Sequence, residues 1–196
     1  MKTVLPINFA GQRYFGEPFP HFQVEEAVPK DAQNTILDWL ETDALWSLTR
    51  TDFYEQHEFS LLSRELPEQV QFLTSPGFVC HCKQQFERTL SVEFEDRFDV
   101  TAHRLTSGQI IKIHNDYLPG QETHRLLIQL NRTWSEDQGG LLILFSQPRA
   151  DAVAKLVLPK SGSAFGFEIS PRSLHAVSTI RSGSRFTLVY SFYARA

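Results

Sequence analysis

The sequence predicts an α+β chain that is mainly β: a double-stranded β-helix, or jelly roll, with N-terminal helices packed on one of its sheets. Three observations carry that prediction. Helical spacing of apolar residues is confined to the first half of the chain. From about Phe98 onward, short alternating runs follow one another, separated by turn residues. Aromatic content is high, with 16 Phe among 196 residues, and Phe186, Leu188, Tyr190 and Phe192 alternate as they would along one face of a β core. Helices first and strands after is an α+β order, and seven or eight short strands manage their edges well in two facing sheets. The length suits one domain with one core. Residues 1–97 are therefore read as helical support and a candidate lid, and 98–196 as the jelly-roll core.

Residues 1–28 mix aromatics with Gly16, Pro18 and Pro20, which reads as an opening strand and turns. From Pro29 to about Glu41, Ala32, Ile36, Leu37 and Leu40 recur at helical spacing, with Pro29 where a first turn tolerates it. The stretch Thr49–Leu62 carries Phe53, Tyr54, His57 and Phe59 without a clear period and is read as a strand or a flap. A short helical turn starts at Pro67. Ser75 is the expected N-cap of a second helix, Pro76 its first residue, and Phe78, Val79, Cys82 and Phe86 its buried stripe. Strands are then expected at Phe98–Leu105, Gln109–Asp116, His124–Asn131, Leu141–Phe145, Ser163–Phe167, His175–Ile180 and Arg185–Tyr193. The turns between them fall at Gly108, Pro119-Gly120, Gly139-Gly140, Pro159, Pro171 and Gly183.

Composition narrows the function classes. With 41% hydrophobic and 21% charged residues, the chain has the balance of a soluble globular protein, without the signature of disorder or a membrane span. A formal net charge of −4 offers no general attraction to phosphate backbones, so nucleic acid is not an expected partner, and neither is a membrane. Cys80 and Cys82 flank His81, but a zinc site normally draws four ligands from separated pairs, so a helix with two reduced thiols is preferred. The run Val4–Phe9 is short and broken by proline and asparagine, unlike a targeting leader, and cytoplasmic residence is the expectation. The sequence carries no signal of oligomeric state.

The chemistry concentrates late in the chain. On an extended strand, residues two apart share a face, so His114 and Asp116 of the tripeptide His114-Asn115-Asp116 are placed to grip one metal. His175 is the third ligand candidate, since distant strands of a jelly roll lie side by side. Two imidazoles and one carboxylate leave three coordination positions open, the arrangement of a non-haem iron oxygenase. A tripeptide of this kind arises by chance often enough that the ordered set, and not the tripeptide, carries the argument. Arg185 opens the last strand with Thr187 on its face. Both are expected to point inward, while Phe186, Leu188 and Tyr190 face the helices. A guanidinium inside such a fold needs a partner, and an organic carboxylate held bidentately beside a hydroxyl satisfies it.

Residues from about Phe98 to Tyr193 resemble the prolyl 4-hydroxylase-like branch of the 2-oxoglutarate/Fe(II)-dependent dioxygenase superfamily, as in its small bacterial members. The resemblance rests on Gly108-Gln109 before His114-Asn115-Asp116, the Leu127–Asn131 strand with Trp134, Gly139-Gly140-Leu141-Leu142, Ser161-Gly162-Ser163, His175-Ala176-Val177 and Arg185-Phe186-Thr187. It implies that His114, Asp116 and His175 bind Fe(II), that Arg185 pairs with the distal carboxylate of 2-oxoglutarate, and that Thr187 assists. Where family members often carry a tyrosine, this chain has Leu105, and Gln129 is the residue expected to supply the missing hydrogen bond. The implied reaction consumes O2 and 2-oxoglutarate, hydroxylates a C–H bond and releases succinate and CO2, with ascorbate as reductant.

The expected substrate is an amino acid, a peptidyl side chain, prolyl among them, or a natural-product intermediate. Thr51–Phe59 and Ser146–Val157 are the candidate lids, since loops on a rigid scaffold commonly set specificity. Two other classes fit the residues. One is a cupin-type metalloenzyme that uses no 2-oxo acid, which would keep activity in Arg185→Ala. The other is a non-catalytic β-sandwich that binds a peptide, in which His114→Ala and His175→Ala would leave metal content unchanged.

Overall fold

The computed structural model describes residues 7–195, so the Val4–Pro6 part of the run read against a leader lies outside the described residues. In chain order the elements are β1 (Arg13–Phe15), β2 (His21–Val24), α1 (Lys30–Thr42), β3 (Ser47–Arg50), β4 (Glu55–Ser60), α2 (Pro76–Leu90), β5 (Phe94–Thr106) and β6 (Ile111–His114). There follow β7 (His124–Leu130), β8 (Leu142–Phe145), β9 (Val153–Val157), β10 (Ala164–Glu168), β11 (His175–Val177) and β12 (Ser184–Ala194). A 3-10 helix, Glu68–Thr74, precedes α2. The chain is mainly β, in two antiparallel sheets: eight strands ordered β1-β2-β10-β7-β12-β5-β4-β3, and four ordered β6-β11-β8-β9. No described helix is long and apolar enough to cross a membrane.

Local chemistry accounts for the helices. In α1, Ile36, Leu37 and Leu40 are buried together with Trp39. Pro29 sits one place before the first turn, as the extended N-cap, instead of within it. Ser75 caps α2 as expected: its Oγ accepts from the Phe78 backbone N–H at 3.3 Å, with Pro76 behind it where no N–H is needed. Ser91 closes α2 in the left-handed conformation, φ 55°. The helix also holds the sheet through Lys83, whose ammonium donates to the carbonyls of Asp96 at 2.9 Å and Arg97 at 3.3 Å. Cys82 is buried and Cys80 exposed, both as free thiols. Successive helix residues point about 100° apart, so Cys80, His81 and Cys82 do not converge on one metal.

The two faces of β12 separate the core from the site. Phe186, Leu188, Tyr190 and Phe192 join one apolar cluster with Ile36 and Leu40 of α1 and Phe78 and Phe86 of α2. Burying each such side chain contributes about 1.5–3 kcal/mol. Tyr190 adds a hydrogen bond, its hydroxyl donating to the Leu73 carbonyl at 2.9 Å. The alternate residues Arg185, Thr187, Val189 and Ser191 face the other way and line a cavity. A second cluster, with Leu127 and Val189 against Leu142 and Leu144, joins the large sheet to the small one.

Thr49–Leu62 takes the first of its two expected forms: it is largely the β3–β4 hairpin, an outer extension of the large sheet. Two segments differ from expectation. Ser146–Val157 contains β9, an edge strand whose Val153 and Leu156 are exposed, so no apolar alternation marks it. The predicted Gln109–Asp116 strand ends at His114, which leaves Asp116 beyond the ladder.

Candidate metal centre

Backbone pairing brings the two histidines together. His114 on β6 and His175 on β11 are direct Cα partners, and their ring centroids lie 4.3 Å apart. Nδ1 of His114 lies 2.9 Å from the Lys112 carbonyl, and Nδ1 of His175 lies 2.8 Å from the Ser173 carbonyl. A carbonyl only accepts, so each Nδ1 carries the proton and each Nε2 keeps its lone pair. This is the outer-sphere arrangement that orients metal-binding imidazoles.

Both lone pairs face Asp116. Its Oδ1 is 3.6 Å from His114 Nε2 and its Oδ2 is 3.3 Å from His175 Nε2. Ligand atoms of the three residues all lie within 4.8 Å of one another, the one such group among the described residues. Burial alone would raise the Asp116 pKa, but the Arg125 guanidinium beside it holds it well below the usual carboxylate range. Asp116 Oδ2 has no hydrogen-bond partner among the described residues despite its burial. A buried acceptor left open beside two imidazole lone pairs fits a cation, and the two-nitrogen, one-oxygen donor set suits iron.

The cavity beside these ligands holds about 380 Å³ and is walled by residues of both sheets. Arg185 is 4% exposed, its Nε has no hydrogen-bond partner, and desolvation pushes its pKa down to about 10, which leaves it charged at neutral pH. A buried cation in that condition fits an anionic guest. Thr187 shares this wall. Gln129 does not: its Oε1 accepts from Thr187 Oγ1 at 3.0 Å, and it borders a neighbouring pocket with Leu142. The expected direct contact of Gln129 with the main cavity is thus corrected to an indirect one: Gln129 touches its Cα partner Thr187 across β7 and β12, and Thr187 is the one that lines the cavity. Leu105 is buried in a small apolar cluster with Val177 and Ile180.

Gly140 explains part of the Gly139-Gly140 motif. Its φ is +66°, and a Cβ there would stand 2.7 Å from Ile180 Cδ1 and 3.1 Å from Arg185 Cδ. The motif therefore leaves room for the arginine stem.

Of the two candidate lids, the first borders the cavity. Phe53 and Tyr54 line it, and the Phe53 ring lies 4.7 Å from that of His114. The second, through Leu156 and Val157, borders the neighbouring pocket instead.

Two cavity residues escaped sequence reasoning. His103 lies on the β5 face that also carries Thr101, whose Oγ1 is 3.0 Å from its Nε2, and burial with the nearby arginines pushes its pKa down to about 3. Arg125, on β7, forms an ion pair with Asp116 at 2.7 Å. The signal for both was strand parity: 101, 103 and 105 share one face, as do 125, 127 and 129.

Two sheets flank the His-Asp-His set, whose donors suit a non-haem iron site, and the buried Arg185 lines the same cavity. Residues 100–193 match the family model of the 2OG-Fe(II) oxygenase superfamily. Over 180 residues, 89% of this chain, the sequence is 27% identical to the prolyl 3-hydroxylase OGFOD1 of Xenopus laevis, and it spans about a third of that relative's length, 34%. Among solved structures, a Pseudomonas putida prolyl-4-hydroxylase is similar in fold at a TM-score of 0.71 and 18% identity, covering 90% of this chain and 93% of that one. A Trichoplax adhaerens prolyl hydroxylase, solved with a peptide fragment of hypoxia inducible factor, is similar at 0.72 and 15% identity, covering 88% and 83%. Over residues 100–193 the chain is thus similar to the 2OG-Fe(II) oxygenase superfamily, and that stretch carries the His114-Asp116-His175 set that could hold a metal ion.

Proposed function

We propose that the chain hydroxylates a prolyl side chain of a peptide, with His114, Asp116 and His175 holding Fe(II) and Arg185 holding 2-oxoglutarate. The observation that carries this reading is the buried Arg185, with an unpartnered Nε, on the wall of the cavity that the His-Asp-His set enters. With iron and 2-oxoglutarate bound, O2 is split between substrate and cosubstrate: one oxygen atom enters a C–H bond, and the other enters the succinate left when CO2 departs.

The protein's own residues orient and desolvate. The Lys112 and Ser173 carbonyls keep both Nδ1 atoms protonated, so each histidine offers Nε2. Arg185 binds the distal carboxylate, and the Thr187 hydroxyl, oriented by Gln129, lies along that wall. Val189, Leu127 and Leu142 add apolar walls that limit water at the reacting carbon. Phe53 and Tyr54 border the substrate side, and Thr51–Phe59 is the proposed lid.

A peptide is preferred as substrate because both curated and structural relatives named above are prolyl hydroxylases, one of them solved with a peptide. In the same reading, the two sheets form a double-stranded β-helix, residues 1–196 work as one oxygenase unit, and the two unpaired cysteines suit the reducing cytoplasm.

The test is incubation with Fe(II), ascorbate, 2-oxoglutarate and a panel of proline-containing peptides. Succinate is expected to form in step with the addition of one oxygen atom to a proline. Succinate without peptide oxidation would move the substrate elsewhere, and no succinate at all would remove the reading.

A further inference from the structure

We propose that Arg125 is a positioning residue for the metal centre: it engages Asp116 Oδ1 so that the carboxylate offers only Oδ2 to the metal. This rests on the reading of His114, Asp116 and His175 as the iron ligands.

The two histidines need no such help, because ladder pairing between β6 and β11 fixes them. Asp116 differs. Its strand ends at His114, and side-chain bonds of Asn115 steady the residues next to it. Asn115 Oδ1 accepts from the Tyr117 backbone N–H at 3.1 Å, and Asn115 Nδ2 donates to the Pro171 carbonyl at 3.3 Å. Neither bond sets the rotation of the Asp116 carboxylate. Arg125 supplies that constraint from the facing sheet, where β7 lies between β10 and β12. Its Nη1 meets Asp116 Oδ1 at 2.7 Å, while its Nη2 is braced by Glu122 Oε1 at 2.7 Å.

The two carboxylate oxygens are therefore unequal. Oδ1 is engaged, whereas Oδ2 is buried without a hydrogen-bond partner and is 3.3 Å from His175 Nε2. Around an octahedral metal, two imidazoles and one oxygen leave three positions, enough for a chelating 2-oxo acid and for O2. A second carboxylate oxygen would occupy one of those three. A guanidinium next to a dication opposes metal binding through its charge, so its benefit lies in carboxylate geometry and is read in binding of the 2-oxo acid.

The experiment is an anaerobic titration of the Fe(II)-loaded protein with 2-oxoglutarate, followed by the visible charge-transfer band, for the wild type, Arg125→Met, Arg125→Lys and Glu122→Gln. Arg125→Met is expected to weaken 2-oxoglutarate binding about 10-fold or more, within the roughly 10- to 100-fold range of lost outer-sphere partners, and to shift the band. Arg125→Lys, which keeps the charge without the fork, is expected to fall between, and Glu122→Gln to weaken binding less in the same direction. If Arg125→Met does not fold, the other two variants decide the matter. Binding and band within twofold of wild type in the folded variants would overturn the role of Arg125, as would a defect confined to the peptide KM. A wild type with no band at all would instead overturn the iron assignment beneath it.

Discussion

His114 and His175 are Cα partners across β6 and β11, and each directs an Nε2 lone pair toward Asp116 because each Nδ1 donates to a backbone carbonyl two residues earlier. The pairing makes the imidazoles a prebuilt half of the centre. His114→Ala and His175→Ala are each expected to lower metal affinity by more than the roughly 100-fold upper range for losing an outer-sphere partner. Mn(II) binding followed by magnetic resonance checks this, and an unchanged affinity in either variant would contradict it.

Burial lowers the Arg185 pKa, and no counter-charge among the described residues offsets that desolvation. Arg185→Ala is expected to weaken 2-oxoglutarate binding by about 10- to 100-fold, the range for a hydrogen bond to a charged group. Metal affinity should stay close to wild type, since the guanidinium is no ligand. Equal 2-oxoglutarate affinity in the variant would remove Arg185 as the anchor of the distal carboxylate.

Gly140→Ala places a Cβ against Ile180 and the Arg185 stem at a left-handed φ. The expected loss of stability is about 1–3 kcal/mol, accompanied by weaker 2-oxoglutarate binding as Arg185 shifts. Urea unfolding and the same titration measure both, and a variant neutral in both would show that the pocket yields without cost.

His124 is buried between Phe86 and Phe94 at the far face of β7, and burial lowers its pKa from 6.5 to about 4. The unfolded chain takes up this proton near pH 6.5 and the folded chain only near pH 4, so between those values the unfolded state binds more protons. Stability therefore falls as pH drops through that window, by on the order of 3 kcal/mol from this residue. Unfolding curves of His124→Leu across the window should show a flatter acid limb. An unchanged slope would assign the acid sensitivity to other groups.

The sequence made the centre legible because its parts have local signals: a His-x-Asp spacing, a late histidine after a turn, and an arginine whose strand neighbours alternate cleanly. Strand parity on β12 correctly separated Arg185 and Thr187 from Phe186 and Leu188. Asp116 meets both histidines as expected, though from just beyond the strand that parity assumed. Arg125 stayed hidden because a charged residue at the start of an apolar strand reads as a strand-end cation until its cross-cavity partner is known. The β3–β4 hairpin and β9 were illegible for another reason: they lie at or near sheet edges, where exposed apolar residues and polar faces erase binary patterning.

The central claim is that His114, Asp116, His175 and Arg185 together hold iron and 2-oxoglutarate. The most direct measurement is the visible charge-transfer band on anaerobic addition of Fe(II) and 2-oxoglutarate to the wild type, His175→Ala and Arg185→Ala. A saturable band is expected in the wild type, none in His175→Ala, and a band needing about 10- to 100-fold more 2-oxoglutarate in Arg185→Ala. A wild type without the band, or His175→Ala with it intact, would contradict the account.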